Sequence, residues 1–252
     1  MNLFDIKGKK AIVSGGTSGL GLGIVEGYLE AGVSVVALGH NVASKDLQKK
    51  WQDKGYDGFV LLGDLTQRDD VNRLFDEALN LLGNRLDILV TSAGIQRRAA
   101  AEEFLLSDWD DVIQVNLTSV FMLCQKAANV MIVQKSGKII TIASMNSFFG
   151  GQTIPAYAAS KGGIAQLTKA LSNDLASKGI HVNSLAPGYM DTHMNAALVN
   201  NEVRRPMIDS RIPMQRWGTP SDMAGPAIFL ASSASDYLSG AIIPVDGGYL
   251  GK

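Results

Sequence analysis

Seven short apolar runs alternate with helical patterns along the 252 residues, a glycine-rich turn follows the first run, and polar residues cluster at the ends of the later ones. Together these predict an α/β fold. Strands are expected near residues 10–14, 33–38, 59–63, 86–91, 137–143, 180–186 and 241–246. Helical periodicity runs near 19–31, 44–54, 67–82, 107–134, 157–178 and 220–232. Right-handed crossovers between such units build a doubly wound parallel sheet of about seven strands with helices on both faces. No linker interrupts the alternation, so residues 1–252 read as a single domain. The segment 189–217 departs from the pattern: it is polar, carries interspersed Met and Arg, and is long for a connection. It is expected to be a substrate lid.

The first strand, Lys10-Ala11-Ile12-Val13, leads into Ser14-Gly15-Gly16-Thr17-Ser18-Gly19-Leu20-Gly21 and then into a helix carrying Ile24, Val25, Tyr28 and Leu29. Strand, glycine turn and helix are the context of a Rossmann-type phosphate cradle: glycines let the backbone approach a pyrophosphate, and the N–H groups at the helix start favour its charge. The spacing, Gly-x-x-x-Gly-x-Gly through Gly15, Gly19 and Gly21, is neither the Gly-x-Gly-x-x-Gly fingerprint nor a nucleoside-triphosphate loop.

Tyr157 and Lys161 stand four residues apart, about one helical turn, thirteen positions after Ser144. An ammonium beside a phenol favours the phenolate, which makes the pair a candidate general acid/base. Taken alone, such a pair is more often a solvated helix face than a catalyst.

Composition narrows the function classes. With 46% hydrophobic residues the chain buries a large core, and a net charge of -1 with dispersed basic residues shows no footprint for nucleic acid or an anionic membrane. The single cysteine, Cys124, lies in an apolar helical stretch and reads as a buried, inert thiol. No metal is expected. Residues 1–7 lack a secretory apolar core and no apolar run reaches membrane-span length, so a cytoplasmic location is expected.

The remaining motifs fall at strand ends: Gly63-Asp64-Leu65, Thr91-Ser92-Ala93-Gly94, Ala143-Ser144 and Ala186-Pro187-Gly188, with Asn116 between the middle two and Asp246-Gly247-Gly248 near the end. In this order they resemble the short-chain dehydrogenase/reductase family over essentially the whole chain. The resemblance implies a catalytic tetrad of Asn116, Ser144, Tyr157 and Lys161. Tyr157 exchanges a proton with the substrate oxygen, Ser144 hydrogen-bonds that oxygen, Lys161 lowers the Tyr157 pKa and holds the nicotinamide ribose, and Asn116 positions a water. It further implies that the dinucleotide is bound by Gly15, Thr17, Ser18, Gly19, Leu20 and Gly21, by His40, Asn41, Asp64 and Leu65 around the adenosine, and by Ala93, Gly94, Pro187, Gly188, Met190 and Thr192 near the nicotinamide. Thr91-Ser92 stands where the family carries Asn-Asn, so the packing duty of an asparagine must be met differently. A homotetramer assembled through the helices around 107–134 and 157–178 and the C-terminal strand is also implied.

The second strand ends in Ala37-Leu38-Gly39-His40-Asn41, without an acid to bind both ribose hydroxyls of NAD and without an arginine to clamp the phosphate of NADP. Ser44 and Lys45 are further polar groups nearby. NAD(H) is favoured, and NADP(H) is compatible.

Ile95-Gln96-Arg97-Arg98, Trp109-Asp110-Asp111-Val112, Ala143-Ser144-Met145, Arg211 to Gly218 and Ala231 to Tyr237 are similar to the sugar-acid branch, the 2-dehydro-3-deoxy-D-gluconate 5-dehydrogenases. That likeness implies an anionic keto-sugar acid held at its carboxylate by Arg97 or Arg98, with Asn146, Gln152, Tyr189 and His193 lining the pocket, and Arg211 and Arg216 in reserve. Gluconate at C5 and a 3-oxoacyl thioester are alternative substrates. A non-catalytic dinucleotide sensor is the alternative of another class, and loss of a tetrad residue would favour it.

Overall fold

The structure is a computed structural model that describes residues 2–41 and 45–252. Seven strands form one all-parallel sheet: β1 (Lys10–Ser14), β2 (Ser34–Gly39), β3 (Gly58–Leu62), β4 (Ile88–Thr91), β5 (Gly137–Ile142), β6 (Ile180–Pro187) and β7 (Ile242–Val245). Their order is β3-β2-β1-β4-β5-β6-β7. Every strand lies within about two residues of its expected position.

Alternation along the strands explains the layering. In β1, Ile12 points to one face, where it meets Val71, Leu74 and Phe75 of α3 (Arg68–Leu81) together with Leu123 and Ala127 of α5 (Ser119–Gln134) and Ile164 of α6 (Pro155–Leu175). Ala11 and Val13 point to the other face, against Ile24, Val25 and Tyr28 of α1 (Gly19–Glu30), Trp51 of α2 (Lys45–Asp53) and Ala227 and Leu230 of α9 (Ala224–Ala231). A strand buried on both faces has no polar alternation, which is why these runs read as continuously apolar. Ser44, at the expected start of α2 and among the polar groups near the adenosine, falls outside the described residues.

The helix expected over 107–134 is divided. A π-helical turn, Gln114–Thr118, separates α4 (Leu106–Ile113) from α5. It turns Asn116 inward, where the side chain is completely buried, and single π turns of this kind recur at functional sites. α6 starts two residues earlier than expected because Pro155 occupies its first turn, where a missing N–H costs nothing.

The expected lid holds two short helices, α7 (Ala196–Val199) and α8 (Arg204–Asp209). Its ends are pinned together: Asp191 N donates to Gly218 O at 2.7 Å and Gly218 N to Tyr189 O at 3.0 Å. A third apolar cluster, Met145, Ile208, Ile212, Trp217 and Tyr249, fastens it to the body. Among the described residues, no helix is long and apolar enough to cross a membrane.

β1 is the reversal point of the strand order, and its end is bonded to the end of β4. Ser92 N donates to Ser14 O at 3.0 Å and Ala93 N to Ser14 Oγ at 3.3 Å. Ser14 thus ties this turn down. Thr91, in the position of the family's asparagine, leaves its Oγ1 buried without a hydrogen-bond partner among the described residues. A buried unpaired hydroxyl destabilises, so Thr91→Val is expected to stabilise the protein by about 1 kcal/mol. Urea denaturation measures this; a lower midpoint in the variant would contradict it.

Candidate active site

The carboxyl ends of β1, β4, β5 and β6 open onto a cavity of about 890 Å³, where the switch in strand order predicts a ligand site. On one side lies the glycine turn. Gly15 has φ +67°, and a Cβ built on it would lie 2.7 Å from the Cα of Ala93, so the two loops touch backbone to backbone. A Cβ on Gly21 would come within 2.2 Å of the Gly15 carbonyl oxygen. Ser18 caps α1 without a side-chain bond and the first turn carries no acid, so the leading N–H groups beside Gly19 to Gly21 keep their affinity for an anion. These features fit a dinucleotide pyrophosphate.

On the other side, Ser144, Tyr157 and Lys161 line the same cavity. Ser144, buried just beyond β5, caps the 3-10 turn Met145–Ser147: its Oγ accepts from Asn146 N at 3.1 Å. Ser147 Oγ in turn donates to Lys161 O at 2.6 Å, which binds that turn to α6. Ser144 and Tyr157 line the same cavity and the serine side chain favours the ionised phenol, so both hydroxyls converge where one substrate oxygen would sit. Lys161 is buried, donates to Ile142 O at 2.7 Å, and lies 5.7 Å from the centre of the Tyr157 ring.

Burial pushes the Tyr157 phenol above its ordinary pKa, opposed first by the Ser144 side chain and then by the positive charge of Arg98. The Lys161 ammonium, desolvated by burial, is itself pushed down to about 8. Asn116 does not line the cavity. Its Oδ1 accepts from Ile95 N at 2.8 Å, and its Nδ2 donates to Ile95 O at 2.9 Å and Ser160 Oγ at 3.2 Å. The side chain therefore clamps the loop after β4 to α6.

Ala93, Gly94, Pro187, Gly188, Met190 and Thr192 line the cavity as expected. His40 and Asn41 after β2, and Asp64 and Leu65 after β3, lie outside its lining, at the far end of the switch-point crevice. The Asp64 carboxylate there accepts from Thr66 N at 2.9 Å. Thr17 is also outside, packed over Gly39, whose added Cβ would meet its Oγ1.

Among the expected substrate residues, Asn146, Gln152, Tyr189 and His193 all line the cavity. The two arginines differ. Both line the cavity, but Arg97 is also paired with Asp108 at 3.3 Å and Asp111 at 3.8 Å on α4. Arg98 has no such ion pair among the described residues, and burial depresses its pKa, with the nearby Arg204 adding to the effect. The reserve candidates are engaged elsewhere: Arg211 stacks over Tyr249 at 4.4 Å and Arg216 bonds Asp222 at 2.8 Å. Arg204, in the cavity lining, was missed because within the Arg-rich lid nothing in spacing distinguishes it from its neighbours. Cys124 is buried and its thiol is pushed up to about 12, an inert group.

A buried ammonium has a stability signature. Because its folded-state pKa of about 8 is below the ordinary 10.5, the unfolded chain binds more protons between those values, and stability rises with pH across that window. Lys161→Met is expected to melt higher than wild type at pH 7, by on the order of 3 kcal/mol less the lost bond to Ile142, and to lose most of that advantage by about pH 10.5. Thermal melts across pH check this, and a pH-independent difference would contradict it.

Comparison with known proteins agrees with this geometry. A family model described as enoyl-(acyl carrier protein) reductase matches residues 15–250. The 2-dehydro-3-deoxy-D-gluconate 5-dehydrogenase of Escherichia coli is 44% identical, over 100% of this chain and 99% of its own length. A Beutenbergia cavernae structure with NADP bound at low occupancy is 41% identical and superposes with a TM-score of 0.95, all of both chains being covered. The gluconate 5-dehydrogenase of Burkholderia cenocepacia, in complex with NADP and tartrate, is 38% identical with a TM-score of 0.94, covering 100% of this chain and 98% of its own. With its glycine turn, its Ser144-Tyr157-Lys161 constellation and full-length relatives of this identity, the chain belongs to the short-chain dehydrogenase/reductase family.

Proposed function

We propose that the chain is an oxidoreductase that interconverts a keto and a hydroxyl group on a sugar acid, with 2-dehydro-3-deoxy-D-gluconate and its 2,5-diketo counterpart as the substrate pair. The observation that carries this reading is Arg98: a cation without an ion-pair partner among the described residues, lining the cavity that holds Tyr157 and close enough for its charge to act on the phenol. A carboxylate in a cavity needs such a partner. The E. coli relative supports this substrate by its name. Gluconate oxidised at C5 is the second reading, supported by the Burkholderia relative and its bound tartrate.

The glycine turn with the start of α1 would hold the pyrophosphate, and Ala93, Gly94 and the Pro187–Thr192 segment the nicotinamide half. When bound, the nicotinamide supplies the hydride acceptor or donor. Tyr157 takes the hydroxyl proton from the substrate during oxidation and returns it during reduction. Ser144 holds the same oxygen and stabilises its developing charge. The Arg98 charge offsets part of the desolvation that would keep Tyr157 protonated. Lys161, close to the phenol ring, is placed to bind a ribose hydroxyl.

The end of β2 offers neither a carboxylate to exclude a 2′-phosphate nor an arginine to demand one. We infer that both dinucleotides are used, a reading supported by the NADP bound in the two solved relatives. Assembly as a homotetramer through α4 and α5 is part of the same reading: Leu106, Phe121 and Val133 are exposed apolar side chains on those helices. Light scattering at micromolar concentration is expected to give four copies, and a monomer would contradict it.

Steady-state assays with keto-sugar acids and neutral keto-sugars, each with NADH and NADPH, test the function. Acids are expected to be preferred, the two dinucleotides to differ by less than about tenfold in kcat/KM, and Tyr157→Phe to lower kcat by at least about a hundredfold. Preference for neutral ketones would overturn the substrate reading, and near-normal turnover by Tyr157→Phe would overturn the mechanism.

A further inference from the structure

The arginines around the cavity divide by what holds them. Arg97 is engaged by Asp108 and Asp111, Arg211 by the Tyr249 ring, and Arg216 by Asp222. Arg205 donates to Val199 O at 3.2 Å and lies 3.8 Å from Asp209, so it serves the lid's own structure. Arg98 and Arg204 have neither an ion pair, a side-chain hydrogen bond nor a ring contact within the described residues, and both line the cavity.

They reach it from separate elements of the fold. Arg98 follows β4 on the loop that Asn116 clamps at Ile95. Arg204 opens α8 in the lid, where Asn201 Oδ1 accepts from its backbone N at 2.8 Å and Ile208, four residues on, is buried in the apolar cluster with Trp217 and Tyr249. Its backbone is thus anchored while its side chain is exposed. Two like charges facing one cavity repel each other, and an anion between them replaces that repulsion with two attractions. Two guanidiniums against one carboxylate also leave a net positive charge, so Tyr157 keeps a favourable potential when the acid is in place. Arg98 alone would be neutralised by its ligand.

We propose that Arg204 is a second carboxylate-binding residue, gripping the sugar acid from the lid while Arg98 grips it from the β4 loop, and that the pair sets the preference for acids over neutral sugars. This rests on the sugar-acid reading above. It assigns the lid a definite task, closing on the substrate's charge.

The test compares wild type with Arg204→Met, Arg98→Met, the double variant and Arg204→Lys. It uses KM for a six-carbon keto-sugar acid and a neutral keto-sugar, together with calorimetric titration of D-gluconate and sorbitol into the dinucleotide-loaded protein. Arg204→Met is expected to raise KM for the acid at least about tenfold more than for the neutral sugar and to weaken gluconate binding likewise, with partial recovery in Arg204→Lys. Equal changes for acid and neutral compounds, with gluconate affinity retained, would overturn the role of Arg204 and leave the sugar-acid reading intact. A wild type that turns over no sugar acid, yet binds gluconate in an Arg204-dependent way, would overturn the functional reading and uphold the arginine pair. A wild type that neither binds gluconate nor turns over acids would overturn both.

Discussion

The contact between the turn after β1 and the turn after β4 governs the geometry of this protein. β1 pairs with β2 on one side and β4 on the other, so crossovers leave it in opposite directions and a crevice opens at its carboxyl end. For one ligand to reach both halves, the two turns must meet without side chains between them. Gly15 and Ala93 do so at backbone distance, and Ser14 binds the second turn through both its carbonyl and its hydroxyl. Asn116 extends the clamp by holding Ile95 to α6, the helix that carries Tyr157 and Lys161. The glycine turn and the helix carrying Tyr157 and Lys161 are therefore held by one continuous set of backbone and side-chain contacts.

Within that frame, electrostatics is set by desolvation. Burial raises the Tyr157 phenol and lowers the Lys161 ammonium, so the neutral forms of both are favoured by the protein interior. The Ser144 side chain and the charge of Arg98 work against this at the tyrosine. Arg98 thus lines the cavity and also favours the phenolate by its charge.

The lid is held differently from the sheet. Its core is a small aromatic cluster, with Tyr189 5.2 Å from Trp217 and 5.4 Å from Tyr249, and Trp217 Nε1 donating to Asp209 at 2.6 Å. The C-terminal residues contribute directly, since Met214 N donates to Gly247 O and Lys252 Nζ to Ser210 O. Segments far apart in sequence thus build the wall facing the glycine turn, which is the part of a site most open to variation in substrate while the cofactor cradle stays constant.

Local sequence was enough for the strands and for the glycine turn, because each rests on short-range physics, continuous apolar runs and backbone freedom at glycine, while Ser144, Tyr157 and Lys161 were joined into one set by the order of motifs along the whole chain. It also carried the expectation of an arginine after β4, though not which one. Arg97 and Arg98 are adjacent, chemically identical and both in the cavity lining, and they differ because α4 brings Asp108 and Asp111 up to the first alone. The bonds that Asn116 makes, the direction of the Tyr157 shift and the presence of Arg204 in one cavity lining with Arg98 have the same origin. Each depends on which distant groups fold against a residue, and desolvation and long-range charge have no signature in the spacing of the chain.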